Sequence, residues 1–429
     1  IIPVFAQLNI TLENQISYTE SVNDIWGYTA PDGTEYALVG TQTAFSIVDI
    51  DSPTPAEIHR VSGANTTWRD IKFFENYAYI VNEAPVDSGL LIVDLSFLPD
   101  SIATYKSDLG VGYTDCHNIF IDENGFAYLF GASSTNVGGG TFIADLNVNP
   151  TNPTYTGKYA ANYVHDGFVR GDTLWTSEIF AGLLGVVDVS NKSNPILLNT
   201  QATPKAFAHA CWLSDDGNTI YLVEEKPSSW VISYDVSDIY DIKELDRWQS
   251  FPTTNTIPHN TFVKGNYVVN SYYTSGGVIL DATNPENLVE VGFYDTSLFS
   301  GSGYYGCWGV YPYLPSGRIL ATDRQQGLFV LNPTYMQACY IEGAITDIYS
   351  AATIANANIN ILNFPNSIAT SDFFGTYMTG IATAGTYEVE VSAEGYHTTT
   401  VSVTVSENGT TTVLDVALEP ILSLSLIHI

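Results

Sequence analysis

Seven segments of the sequence begin alike, and their even spacing limits the possible fold more than any other feature. They are NDIWGY from Asn23, RDIKFF from Arg69, HNIFID from His117, HDGFVR from His165, HACWLS from His209, HNTFVK from His259 and CWGVYP from Cys307, with successive starts 46, 48, 48, 44, 50 and 48 residues apart. Each start is followed by a second short apolar run, such as EYALVG, NYAYIV or NTIYLV, and by a third that tends to end in Asp, such as FSIVDI, LLIVDL or TFIADL. A fourth follows a Pro- or Asn-rich turn, as in PAEIHRV and PILLNTQ. Runs of β-branched and aromatic residues punctuated by Asp-Gly, Asn-Pro and Gly-Gly are strand and turn signatures. Four short strands in each unit of about 40–50 residues is the pattern of a β-propeller blade. The last unit, from Cys307 to about residue 333, has room for three strands, and residues 8–18 (LNITLENQISY) match the fourth-strand pattern. The prediction is an all-β chain: a seven-bladed β-propeller over residues 8–333, closed by its N-terminal strand so that two sheet edges are hidden.

Charge narrows the partners. Asp and Glu number 46 against 14 Lys and Arg, a formal charge of −32. Such a surface repels phosphate backbones and anionic membranes, so no nucleic-acid partner is expected. With 45% hydrophobic residues the chain has ample apolar surface to bury, yet no run is long enough to span a bilayer. An integral membrane protein is not expected, and the chain is expected to be monomeric. The four Cys are widely spaced without a CxxC pair, which rules out a zinc ribbon and leaves their pairing open. Residues 1–7 read as the tail of a secretory signal, and residues 421–429, with LSLIHI, resemble a translated sequencing adapter.

The Asp-ended third strands, together with WRDIKFF, YVHDGFVRGD, HACWLSDDG and GCWGVYPYLPSG, resemble the LVIVD-repeat, choice-of-anchor B family of secreted bacterial surface proteins. The resemblance runs from Leu8 to about residue 333 and implies a propeller displayed outside the cell on a variable C-terminal device. It implies no established activity. After a linker at residues 334–338, composition shifts towards Thr, Ala and Ser, and residues 339–420 alternate apolar and polar positions. With Gly385-Thr386-Tyr387 and Glu394-Gly395-Tyr396 at its turns, this stretch is similar to a carboxypeptidase regulatory-like domain, a small β-sandwich spacer.

Aligning the seven starts puts Asn23, Arg69, His117, His165, His209, His259 and Cys307 in one column at the head of the innermost strand, and Asp24, Asp70, Asn118, Asp166, Ala210, Asn260 and Trp308 in the next. Four of the chain's seven His therefore occupy equivalent places on consecutive units. The second strand returns to the same rim and ends near Glu83, Glu178, Glu224, Glu225, Tyr272, Asp323 and Arg324, a register set to about one residue. Three readings follow. The imidazoles tie each blade to the next through backbone carbonyls. Or the rim binds a non-metal ligand, with Arg69, Asp70, Tyr272, Tyr304, Tyr305, Asp323 and Arg324 as contacts. Or His117, His165, His209 and His259 hold a divalent transition metal on the axis, with Glu178 or Glu224 as acid/base.

Aromatic loops enter the same face at Trp68, Tyr113, Tyr163, Phe207, Tyr304 and Tyr305 and offer stacking to a sugar or a protein. The expected function is an extracellular or bacterial cell-surface binding module for a protein or glycan, with a metal-dependent enzyme as the alternative. Asp215-Asp216, DENG and PDGT are turn residues, and Val137-Gly-Gly-Gly140 precedes no helix, so neither calcium nor phosphate binding is expected there.

Overall fold

The computed structural model describes residues 7–252 and 254–421; the signal-like and adapter-like ends, apart from Gln7 and Ile421, lie outside the described residues. Among these residues all regular structure is β except for one 3-10 turn at Pro85–Asp87, and no helix is long and apolar enough to cross a membrane. Seven antiparallel sheets follow one another along the chain, and their innermost strands are Val22–Thr29, Arg69–Phe74, Asn118–Ile121, Asp166–Arg170, Ala208–Leu213, Pro258–Lys264 and Cys307–Tyr311. Each innermost strand packs on that of the next sheet, and Cys307–Tyr311 packs on Val22–Thr29. The molecule is a β-propeller. Inner strands are covered on both faces by neighbouring sheets, so Val22–Thr29 is buried almost throughout. The outer strand Ala56–Ser62 meets solvent and shows no fully buried residue.

The seventh sheet takes three strands from its own segment (Cys307–Tyr311, Ile319–Asp323, Gly327–Pro333) and a fourth, Ile10–Ile16, from the other end of the chain. Ile10 faces Pro333 and Ile16 faces Leu328 in antiparallel register. Gly327, with φ +95°, permits this join, because a Cβ there would lie 2.2 Å from the Ile16 carbonyl oxygen. Gln7–Leu8 then adds a fifth strand to the sixth sheet.

Arg318 clamps the seam between last and first sheets. Its guanidinium reaches Glu35 Oε2 at 2.6 Å, Glu13 at 3.3 Å and Asp51, while Ser316 donates from its N and Oγ to the same Glu35. Glu35 is buried, so losing the cation strands a carboxylate out of water.

Beyond Pro333, two further four-stranded sheets share one apolar core that includes Ile341, Ile359, Tyr377, Val389, Val403 and Leu418. They are fixed to the propeller. Asp281 Oδ2 accepts from Ala338 N and Tyr340 OH, both at 2.7 Å, and Asn287 Nδ2 donates to Thr379 O at 3.0 Å. Asn366 accepts from Phe251 N at 2.6 Å and donates to Glu290. Burial at this junction pushes Glu290 up to about 8.

Two outcomes are expected. Arg318→Ala should lower unfolding free energy by about 2–3 kcal/mol, read by urea denaturation. Glu290 holds its proton more tightly in the folded state than in the unfolded one. Its contribution is therefore full below its ordinary range near 4.5 and is lost as pH rises towards about 8. Protease release of the C-terminal domain should accordingly increase from pH 5 to pH 8, and Glu290→Gln should flatten that rise; an unchanged slope would locate the titration elsewhere.

Candidate functional site

The axial mouth is built where the innermost strands begin. Pairing to the second strand is interrupted at Val22/Ile25, Ala208/Ala210, Pro258/Thr261 and Cys307/Gly309, so Asn23, His209 and His259 sit in bulges that re-aim their side chains. The four His come together as an arc. Ring centroids are 3.9 Å apart for His117–His165, 4.3 Å for His165–His209 and 4.6 Å for His209–His259, and the row ends on Trp308 at 4.6 Å. Burial, then the adjacent imidazoles, holds His165 and His209 well below the ordinary histidine range, and burial brings His259 down to about 3. His165, His209 and His259 are therefore neutral at physiological pH.

Five of the seven members of the first column make side-chain hydrogen bonds. Asn23 Nδ2 donates to Thr67 O at 2.8 Å, and Arg69 donates to Thr41 O and Ala64 O at 3.2 and 2.8 Å. His259 Nδ1 lies 2.5 Å from Trp308 O, a blade-to-blade tie. His117 Nδ1 instead meets Glu83 Oε1 at 2.6 Å. The Nδ1 atoms of His165 and His209 are buried without a hydrogen-bond partner.

The acidic residues at the ends of the second strands divide by one position. Glu178 accepts from Tyr159 OH, Asn162 Nδ2 and Thr176 Oγ1. Glu224 accepts from Thr203 Oγ1, Lys205 N and Phe207 N. Both carboxylates, the acid/base candidates of the metal-enzyme reading, hold loop groups through these hydrogen bonds. Tyr272 packs against Trp248, and Asp323 caps Gln325 and Gln326. The residue after each of three of these four faces the mouth. Glu225 lies 3.7 Å from His209 Nε2 and 4.0 Å from His259 Nε2; Tyr273 OH donates to Glu225 Oε1 at 2.6 Å; Arg324 stands 5.2 Å over Trp308. Burial pushes Glu225 up to about 7. Sequence reasoning reached these strand ends but not Tyr273; the strict alternation of a strand, applied one residue further on, would have found it.

Large side chains ring the mouth. Trp68, Tyr304 and Tyr305 are 43%, 45% and 51% exposed, and Phe180, at 78%, lies against Tyr163 with centroids 5.1 Å apart. Phe299 packs on Tyr305 at 5.0 Å and was not anticipated. Gly306 brings this loop close: a Cβ there would meet the Tyr273 carbonyl oxygen at 1.9 Å. Tyr113 is instead buried, donating to Cys116 Sγ, and Phe207 carries Lys226 on its face at 3.7 Å. The four Cys are buried and free.

Residues 67–98 and 180–203 match the LVIVD repeat, and residues 340–419 match the carboxypeptidase regulatory-like domain. The chain carries LVIVD repeats and a C-terminal carboxypeptidase regulatory-like domain. No curated protein matches it. Among solved structures it is similar to the β-propeller domain of Myceliophteria thermophila Cps50 (Swd1), at 10% identity and TM-score 0.53 over 75% of this chain and 99% of that one. It is also similar to Kuenenia stuttgartiensis hydrazine synthase, at 13% identity and TM-score 0.52 over 75% and 98%. These likenesses concern the fold.

The LVIVD signature itself is structural. Its apolar residues, such as Leu90 to Val93, fill the core, and its Asp caps the following turn: Asp94 Oδ1 accepts from Ser96 N at 2.9 Å and Asp188 Oδ1 from Ser190 N at 2.8 Å.

Beneath the imidazoles lies a charged layer centred on Asp70 and Lys72 of the first LVIVD segment. Lys72 Nζ contacts both Asp70 oxygens at 3.0 and 3.1 Å and sits 4.3 Å over Trp26. Asp24 and Asp70 accept from Ile71 N and Ile119 N of the next sheet, so Asp70, like Arg69, works inside the ring. Burial and the nearby Asp70 raise Asp24 and bring Asp166 to about 7. Burial alone would depress Lys72, but Asp70, Asp24 and Asp166 outweigh it and hold its ammonium above the usual range. Aromatic rings close the axis below: Trp212 meets Phe168, Phe262 and Phe120 at 4.8, 4.9 and 5.8 Å. Lys72→Met should lower stability by about 3–5 kcal/mol at pH 7, because it leaves buried carboxylates unpaired. The loss should shrink at pH 5 as Asp24 and Asp166 take up protons; an equal loss at both values in urea unfolding would refute the pairing.

Proposed function

We propose that this protein is a secreted or cell-surface interaction module whose His- and aromatic-rich mouth captures an extracellular protein or glycan. In this reading the seven sheets are the blades of a ring sealed by the N-terminal strand. The carboxypeptidase regulatory-like domain is a β-sandwich spacer, and display follows the choice-of-anchor B pattern. The observation that carries the reading is the exposed crown of Trp68, Tyr163, Phe180, Phe299, Tyr304 and Tyr305 around a polar floor. Large aromatic rings left in water beside fixed hydrogen-bonding groups are the composition of a recognition surface, since they bury much area at little entropic cost.

The floor adds polarity without flexibility. Glu83 is engaged by His117, Glu225 by Tyr273, and Arg324 donates to the Tyr304 carbonyl, so the groups a ligand would meet are already oriented. The strongly negative overall charge suits a soluble surface outside the cell and disfavours binding to acidic polymers.

Probing a glycan array and a panel of extracellular proteins with the full chain tests this. Tyr304→Ala combined with Tyr305→Ala should weaken the ligand found by at least about tenfold, as for aromatic hot spots, while leaving the thermal melt unchanged. Undiminished capture by the double variant would place the binding surface elsewhere.

A further inference from the structure

We propose that His209, Glu225 and His259 form a site for one divalent transition-metal ion at the propeller mouth. One donor atom from each, an imidazole nitrogen of either His and a carboxylate oxygen, lies within 4.8 Å of the others, and among the described residues this is the one cluster of its kind. The set differs from the four-imidazole ring that the repeats suggest. His117 is turned to Glu83, and His165 stacks between its neighbours without joining the cluster.

The hydrogen bonds around the cluster favour a cation within it. A carbonyl oxygen only accepts, so the contact of His259 Nδ1 with Trp308 O places the ring proton on Nδ1 and leaves a lone pair on Nε2. Glu225 Oε1 stands 4.0 Å from that nitrogen, beyond hydrogen-bond reach. His209 Nε2 stands 3.7 Å from Glu225 Oε2, too far for a hydrogen bond, and its Nδ1 is buried without a partner. Two imidazole nitrogens and a carboxylate thus converge with no proton well placed to bridge them. Tetrahedral ligation at ~2.0–2.2 Å requires donors about 3.4 Å apart, so side chains now within 4.8 Å of one another close by up to about 1.4 Å around the ion.

Tyr273 completes the arrangement. Its hydroxyl donates to Glu225 Oε1 at 2.6 Å and so fixes the carboxylate, as the Trp308 carbonyl fixes His259. Tyr273 is a positioning residue, not a ligand. Two imidazoles and one carboxylate suit zinc, and fewer than four protein ligands leave a coordination position open towards the aromatic crown. The site stands independently of what that crown captures, since it is read with the metal alone.

The test is Zn²⁺ titration of the chelator-stripped full chain by calorimetry, with Co²⁺ absorption reporting the ligand field. Wild type should bind one equivalent. His259→Ala and Glu225→Gln should each weaken binding at least tenfold. Tyr273→Phe, nearly isosteric, should weaken it about 10–100-fold without altering the melt. His59→Ala, in an outer strand, should change nothing. Less than about 0.1 equivalent in wild type, or undiminished affinity in Glu225→Gln and Tyr273→Phe, would overturn the proposal.

Discussion

The antiparallel pairing of Ile10–Ile16 with Gly327–Pro333 is the constraint on which the remaining geometry rests. Without it the last sheet would end in a strand with unpaired N–H and C=O groups, and the first sheet would have a free N-terminal arm beside it. With it, the first and last parts of the chain share one sheet, and the inner strands Val22–Thr29 and Cys307–Tyr311 are held against each other. Arg318 draws the same two regions together through Glu35, Asp51 and Glu13.

A repeat fold of this kind places equivalent residues in layers around an axis, and here each layer has a different chemistry. Imidazoles occupy the mouth, carboxylates and Lys72 the level beneath, and Phe120, Phe168, Trp212 and Phe262 the plug below. The charged layer survives burial because its carboxylates accept main-chain protons from the neighbouring sheet and share one ammonium. At the mouth, the structural and chemical readings of the His column converge on one hydrogen bond. The contact of His259 with Trp308 O ties two sheets and in the same act leaves Nε2 as the free donor atom.

Much of this was present in the sequence. The seven starts, the Asp-ended third strands and the short last unit placed the strands, because strand period, turn residues and repeat length are local properties of the chain. The arc of His117, His165, His209 and His259 could likewise be read from alignment of repeats. The companion residues could not be placed so closely. Glu224, Glu225 and Tyr272 all stood at the strand ends, yet it is Glu225 and the unnamed Tyr273 that face the imidazoles, since successive residues of a strand point to opposite sides and a bulge shifts the count. Arg69, Asp70 and Asp323, read from the sequence as ligand contacts, also make hydrogen bonds to Thr41, Ile119 and Thr296, partners that no local pattern reveals.

The chain alone thus carried the β-propeller architecture, the acidic composition and the grouping of four His. Those follow from periodicity and composition, which need no partner to be read. Which carboxylate meets those rings, which nitrogen keeps its lone pair and which aromatic residues stay in water were decided when separate sheets closed on one axis. Each of these depends on distances between strands about 50 residues apart, and no local pattern encodes a distance.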